Sequence, residues 1–364
     1  MTTKQNATIK RATTAAQLKI GTLDEKTTAE LIAIYQRAAA ELGALIRFHA
    51  GGDGNVGLFE LRNLLDQVNG QLRALGQVRD GVLTGALTQS AELGVEPMLG
   101  AALSSSASMI ISNEALQFVR TFIAEDGLQL SDRIWRLDRQ TREEITGVIE
   151  QAVIQGHGAS QTATELLSRG LGVPADVRDK LRAASADTIH KAIDRALAED
   201  GSIMENALKL SRTEINRAHG EAFAAGAAQI DGFGGLRFLL SPAHPKPDIC
   251  DLLSTQNLYG LGPGVYPSRA KTPWPAHPNT LSFLEIVFAD EITAADRAGK
   301  QTSLEALQAL TPARQIGVLG VNKREALQDG KLTKGMIRAP WSAVSRRIGG
   351  RVVVNSPIRK EGAT

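Results

Sequence analysis

Two apolar runs near the N-terminus constrain the fold more than any other feature. Leu31, Ile34, Tyr35, Ala38, Leu42, Leu45 and Ile46 recur at the three- and four-residue intervals of one helix face. After a Gly51-Gly52-Asp53-Gly54-Asn55 stop, Leu61, Leu64, Leu65, Val68, Leu72, Leu75, Val78 and Val82 repeat the pattern. Two long amphipathic helices joined by a short turn must cover each other's apolar faces, which predicts a helical hairpin over residues 23–110. Neither run has the sustained charged flanks of a strict coiled coil.

The rest of the chain reads as more helix. Aromatics are 4% of 364 residues while alanine, leucine and glycine dominate, so small and aliphatic side chains must do the packing. Residues 101–113 read as a loop entering a helix near Asn113–Ala124. A short helix is expected at Ser131–Arg139. Thr141 and Glu144 form a capping-box pattern opening a helix to Ile154. Gly156-His157-Gly158 reads as a break, Ser160 as the cap of the next helix, and Pro174 as the start of another to about Ala198. The clearest helix spans Met204 to about Ile230. Leu236–Leu240 and Leu284–Phe288 are the convincing strands, with an irregular Pro-, Gly- and Asp-rich stretch between them. Leu319–Ile337 is expected to form a helix, a stop at Gly330, and a further short element.

The expected fold is therefore mainly α with a small α+β module. A flexible basic tail (1–22) precedes the helical hairpin (23–110), a helical bundle (111–200), the α+β module with a two- or three-stranded sheet (201–291), and a basic C-terminal extension (292–364).

Charge and cysteine usage narrow the classes of function. The net charge is +2 but unevenly spread. Residues 1–20 carry Lys4, Lys10, Arg11 and Lys19 with no acid, and residues 300–364 carry a surplus of eight basic residues. Such ends suit an anionic partner such as double-stranded DNA. Arg346, Arg347 and Arg351, flanking Gly349-Gly350, are the expected phosphate contacts. Cys250 is the single cysteine, so an intrachain disulfide and a four-cysteine metal site are both excluded. No signal-peptide core or membrane-spanning apolar run is read, and no membrane partner is expected.

The chemistry-bearing residues lie between Ser211 and Glu291. Arg212-Thr213-Glu214 and Arg217 sit on the Met204 helix. His244-Pro245-Lys246-Pro247-Asp248-Ile249-Cys250-Asp251 follows the first strand, and Pro275-Ala276-His277-Pro278-Asn279-Thr280 precedes the last. His244, Cys250, Asp251 and His277 are the right types for a tetrahedral zinc. The plainer reading, which we adopt for the sequence, has no metal: His277 and Asp248 hydrogen-bond the loop backbone, and Cys250 is a small buried hydrophobe. A hydrolase with Cys250 as nucleophile, His277 as base and Asp248 or Asp251 as orienting acid is the enzymatic alternative, without a nucleophile-elbow or oxyanion-loop signature. Gly260-Leu261-Gly262-Pro263-Gly264 lacks the Gly-Lys-Ser/Thr ending of a phosphate loop.

This ordered set resembles the Mu-like phage minor head proteins, the phage head-morphogenesis family. Their pattern is an Arg-Thr-Glu helix, an Asp-x-x-Cys-x-x-Cys segment and a closing Pro-His-Pro-x-Cys-x-Cys. The resemblance covers residues 111–290 and is densest at 211–280. Leu253 stands where the second cysteine would be, and Thr280 and Ser282 stand where the closing pair would be. The resemblance implies a non-enzymatic minor capsid protein acting at the portal vertex during procapsid assembly. Its implied partners are the portal protein, the major capsid or scaffold protein and the packaged DNA. Its implied places are the capsid interior and, during assembly, the host cytoplasm. Within that frame Arg212, Glu214 and Arg217 are expected as structural anchors, with Arg212 holding the Asp248 loop through an Arg–carboxylate pair. Metal- or cysteine-dependent hydrolysis at the 244–277 loop is the alternative, and a DNA-binding protein unrelated to phage is a third.

Overall fold

The computed structural model describes residues 3–52, 54–123, 127–199, 201–348 and 351–354. It is mainly α with a small α+β module. Seven helices come first: α1 (Thr3–His49), α2 (Leu61–Val95), α3 (Ser105–Thr121), α4 (Leu130–Ser168), α5 (Ala175–Ala183), α6 (Ala186–Ala198) and α7 (Ile203–Ala227). Then follow β1 (Phe233–Leu239), α8 (Ile249–Thr255), β2 (Val265–Tyr266) and β3 (Phe283–Phe288). Short helices α9 (Ala294–Ala298), α10 (Ser303–Ala309), α11 (Pro312–Leu319), α12 (Val321–Gln328) and α13 (Trp341–Val344) lead to a β4–β5 ribbon (Ser345–Ile348 and Arg351–Val354). No helix among the described residues is long and apolar enough to cross a membrane.

The contacts divide the chain into two interleaved units rather than consecutive blocks. A helical unit comprises Ile20–Ser90 and Leu116–Ile215, and a mixed unit comprises Met1–Lys19, Ala91–Ala115 and Asn216–Thr364.

In the helical unit the hairpin faces read from the sequence form the core as far as Leu75, beyond which Val78 is exposed. Tyr35, Leu42 and Ile46 of α1 and Leu64, Val68 and Leu72 of α2 cluster with Ile145, Ile149 and Val153 of α4 and Ile189, Ile193 and Leu197 of α6. Each such side chain contributes about 1.5–3 kcal/mol through burial. Arg79 is buried beside them, with Nη1 donating to Asp138 Oδ1 at 2.7 Å and Nη2 to Asp80 Oδ1 at 2.6 Å. Such pairing is what makes a buried guanidinium tolerable.

Three expectations are corrected here. Helix α4 runs unbroken from Leu130 through Gly156–Ser160, and position 156 needs glycine because it faces Ala184 so closely that a side chain would overlap its methyl. Thr141 therefore caps nothing, and its hydroxyl donates to the Leu137 carbonyl inside the helix. Residues 3–22, expected as a flexible tail, are the first turns of α1, where Ile9, Thr13, Ala16 and Leu23 are buried.

In the mixed unit the three-stranded sheet is antiparallel in the order β2-β1-β3. Leu236 pairs with Tyr266 on one side and Ile286 on the other, and Phe238 pairs with Leu284. Two residues of β2 escape sequence reading because they are too short to show alternation. Side chains of α10, α11 and α12 (Leu307, Leu319 and Leu327) pack on Leu252 of α8, so the basic C-terminal segment is largely built into the unit. At the N-terminal end Lys10 pairs with Glu291 at 2.5 Å and Lys19 pairs with Glu96. Two of the four early cations are thus neutralised within the fold.

Candidate functional site: the Asp248–Cys250–His277 clasp

The site forms where the turn after β1 meets the segment before β3. Asp248 caps α8, accepting from the Cys250 amide at 2.7 Å through Oδ1. Asp251 closes the reciprocal half of the capping box, accepting the Asp248 amide at 2.9 Å. This box fixes Asp248 Oδ2 facing away from the helix. There it meets His277 Nε2 at 3.1 Å. The same nitrogen lies 3.3 Å from Cys250 Sγ, although the two residues are 27 positions apart.

His277 is held from behind as well. Its Nδ1 lies 2.8 Å from the carbonyl oxygen of Pro278. A carbonyl can only accept, so Nδ1 carries a proton. Nε2 therefore faces a carboxylate oxygen and a sulfur from a ring whose other nitrogen is already protonated. The thiol proton of Cys250 can be donated to that nitrogen, and a bound cation could take its place.

The surroundings of Cys250 are dry on one side and open on the other. The residue is fully buried, whereas the side chains of Asp248 and His277 are about a third exposed. Thr280 Oγ1 lies 3.7 Å from the sulfur, and the Ser282 hydroxyl also flanks it. Burial pushes the thiol up to about 11, outweighing the Ser282 and Thr280 hydrogen bonds that pull it down. At neutral pH the free thiol is protonated.

Asp251, itself buried, is fully engaged. Its Oδ2 lies 3.0 Å from His244 Nε2, and its Oδ1 forms an ion pair with Arg314 Nε at 3.2 Å. His244 and Asp251 thus stiffen the turn around the clasp. The role of Arg314 has no signal in the sequence, because it lies far beyond the motif and touches it only through the fold of α11.

Further polar contacts tie the closing segment to α7. Asn216 Nδ2 donates to the Thr280 carbonyl at 2.8 Å. Trp274 Nε1 donates to the Asn216 carbonyl at 3.0 Å. Arg269 pairs with Glu221, and Arg338 donates to the Ala276 carbonyl. Burial raises the Glu221 carboxyl above its usual range, opposed by Arg269 and Arg217.

The expected anchors each have partners of their own. Arg212 Nε donates to Asp24 at 2.7 Å. Glu214 is buried and accepts from Arg133 at 3.0 Å. Arg217 is buried on α7, close enough to Glu221 to lower its carboxyl. The anchoring of the closing segment falls instead to Asn216, two residues beyond the Arg-Thr-Glu run. Of the expected DNA contacts, Arg346 is exposed on β4. The side chains of Arg347 and Arg351, and Gly349-Gly350 between them, lie outside the described residues.

No protein-family model, no curated protein and no solved structure matches this chain.

Proposed function

We propose that this chain is a minor head protein of a tailed phage or prophage, acting in procapsid assembly at the portal vertex. One observation carries the reading. The two outlying pieces of the ordered motif, Asp248–Cys250 and His277–Thr280, meet within 3.3 Å, and the second is bonded to Asn216 of the motif helix. A sequence pattern that closes into one bonded unit is better support than three separate short motifs. Partners are proposed to be the portal protein and the major capsid or scaffold protein, in the capsid interior and, before that, the host cytoplasm. DNA contact is assigned to Arg346, which is exposed on β4, with Arg347 and Arg351 as the expected neighbouring contacts.

The test is to co-express the portal, scaffold and major capsid genes of the same genome with and without this chain. Procapsids made with it should contain it in a few copies at one vertex. Procapsids that never incorporate it, at any expression level, would refute the reading.

The hydrolase alternative draws on the same geometry, since thiol, imidazole and carboxylate are within reach of one another. Two features weigh against it. The sulfur is buried, and its thiol is held at about 11 where a nucleophile needs the thiolate.

A further inference from the structure

We infer that Cys250 Sγ, His277 Nε2 and Asp248 Oδ2 form a three-ligand site for a zinc-class divalent transition metal. The site does not depend on the assembly role proposed above.

The spacing is that of a tetrahedral edge. Zinc bonds of about 2.0–2.1 Å to imidazole, about 2.3 Å to thiolate and about 2.0–2.2 Å to carboxylate place N and S about 3.6 Å apart and N and O about 3.3 Å apart. The observed separations are 3.3 Å for Nε2 to Sγ and 3.1 Å for Nε2 to the carboxylate oxygen. One ligand atom from each of the three residues lies within 4.8 Å of the others.

The supporting bonds are those a metal site requires. Nδ1 of His277 is committed to the Pro278 carbonyl, which fixes the tautomer that presents Nε2 as a ligand. Asp248 spends Oδ1 on the Cys250 amide and keeps Oδ2 for the centre. The capping box, with Asp251 braced by Arg314 and His244, holds the turn that carries two of the three ligands. Asp251 itself is occupied by these partners and is not a ligand. On binding, the dication replaces the thiol proton, which leaves to solvent, and the fourth position is open to water on the exposed side.

Cobalt(II) titration of the purified, chelator-treated full chain tests this. Cobalt bound through a thiolate gives a near-ultraviolet sulfur-to-metal charge-transfer band, and a tetrahedral ligand field gives strong visible bands. We expect both to saturate at one equivalent and to be displaced by zinc. His277→Gln changes a partly exposed residue, and Asp248→Asn keeps a good helix cap; both should fold normally by circular dichroism and weaken cobalt binding at least tenfold. Cys250→Ser should lose the charge-transfer band. His244→Ala should retain it. A folded chain with no saturable thiolate band, or a band unchanged by His277→Gln, would overturn the site and leave the triad as a polar clasp only.

Discussion

Trp274 lays its indole across Gly220 of α7 and donates Nε1 to the Asn216 carbonyl one turn earlier, at 3.0 Å. The ring occupies the space a side chain at 220 would need. The position before the clasp is therefore set by a missing side chain on the motif helix.

Gly220→Ala should displace the Trp274 ring. An alanine ordinarily favours a helix over glycine by about 1 kcal/mol. Here the overlap should reverse that sign and cost about 1–3 kcal/mol net. A chemical denaturation midpoint equal to or above that of the unmodified chain would show that the ring is not fixed there.

His219, one residue earlier, is fully buried, stacks on Phe223, and has Nε2 without a hydrogen-bond partner. Desolvation holds its folded pKa near 4, against 6.5 when exposed. The unfolded chain therefore binds more protons than the folded one between those values. Stability from this residue is present above pH 6.5 and is lost as pH falls towards 4, by up to about 3 kcal/mol. His219→Gln should flatten this part of the stability–pH profile, read as the difference between the two proteins so that Glu221 and other groups cancel. Parallel profiles would show that His219 does not titrate with unfolding.

Lys323 is a buried cation that holds the segment after the short turn at Lys334–Met336. Its ammonium donates to the carbonyls of Ile337 at 2.7 Å and Ala339 at 3.0 Å. Lys323→Met keeps the apolar stem and leaves those carbonyls unpaired, a cost of about 1–3 kcal/mol. Amide exchange over residues 334–341 should accelerate first. Uniform exchange rates across the C-terminal segment would contradict this capping role.

Much of the fold was legible, and the misses have physical causes. The hairpin faces and the two longer strands followed from periodicity alone. The first turns of α1 were missed because their buried face is built from Ile9, Thr13, Ala16 and Leu23, where threonine and alanine mask the helical spacing. Gly156 looked like a stop because its reason for being glycine, Ala184, lies on another helix. In the site, Cys250, His277 and Asp248 were all identifiable as residue types. Their mutual geometry was not, because it depends on a helix cap at Asp248 that turns one carboxylate oxygen outward. The pairing of Arg212 with Asp24 was not legible either. An arginine's reach covers many candidates, and Asp24 belongs to a stretch read as the start of the hairpin rather than as a partner of α7.

The central claim is the assembly role, and direct binding tests it most closely. The purified chain should be mixed with the purified portal ring of the same genome and followed by sedimentation. A fraction of the chain is expected to move with the ring at about micromolar concentration. A chain that stays at the top of the gradient, folded and unbound across that range, would contradict it.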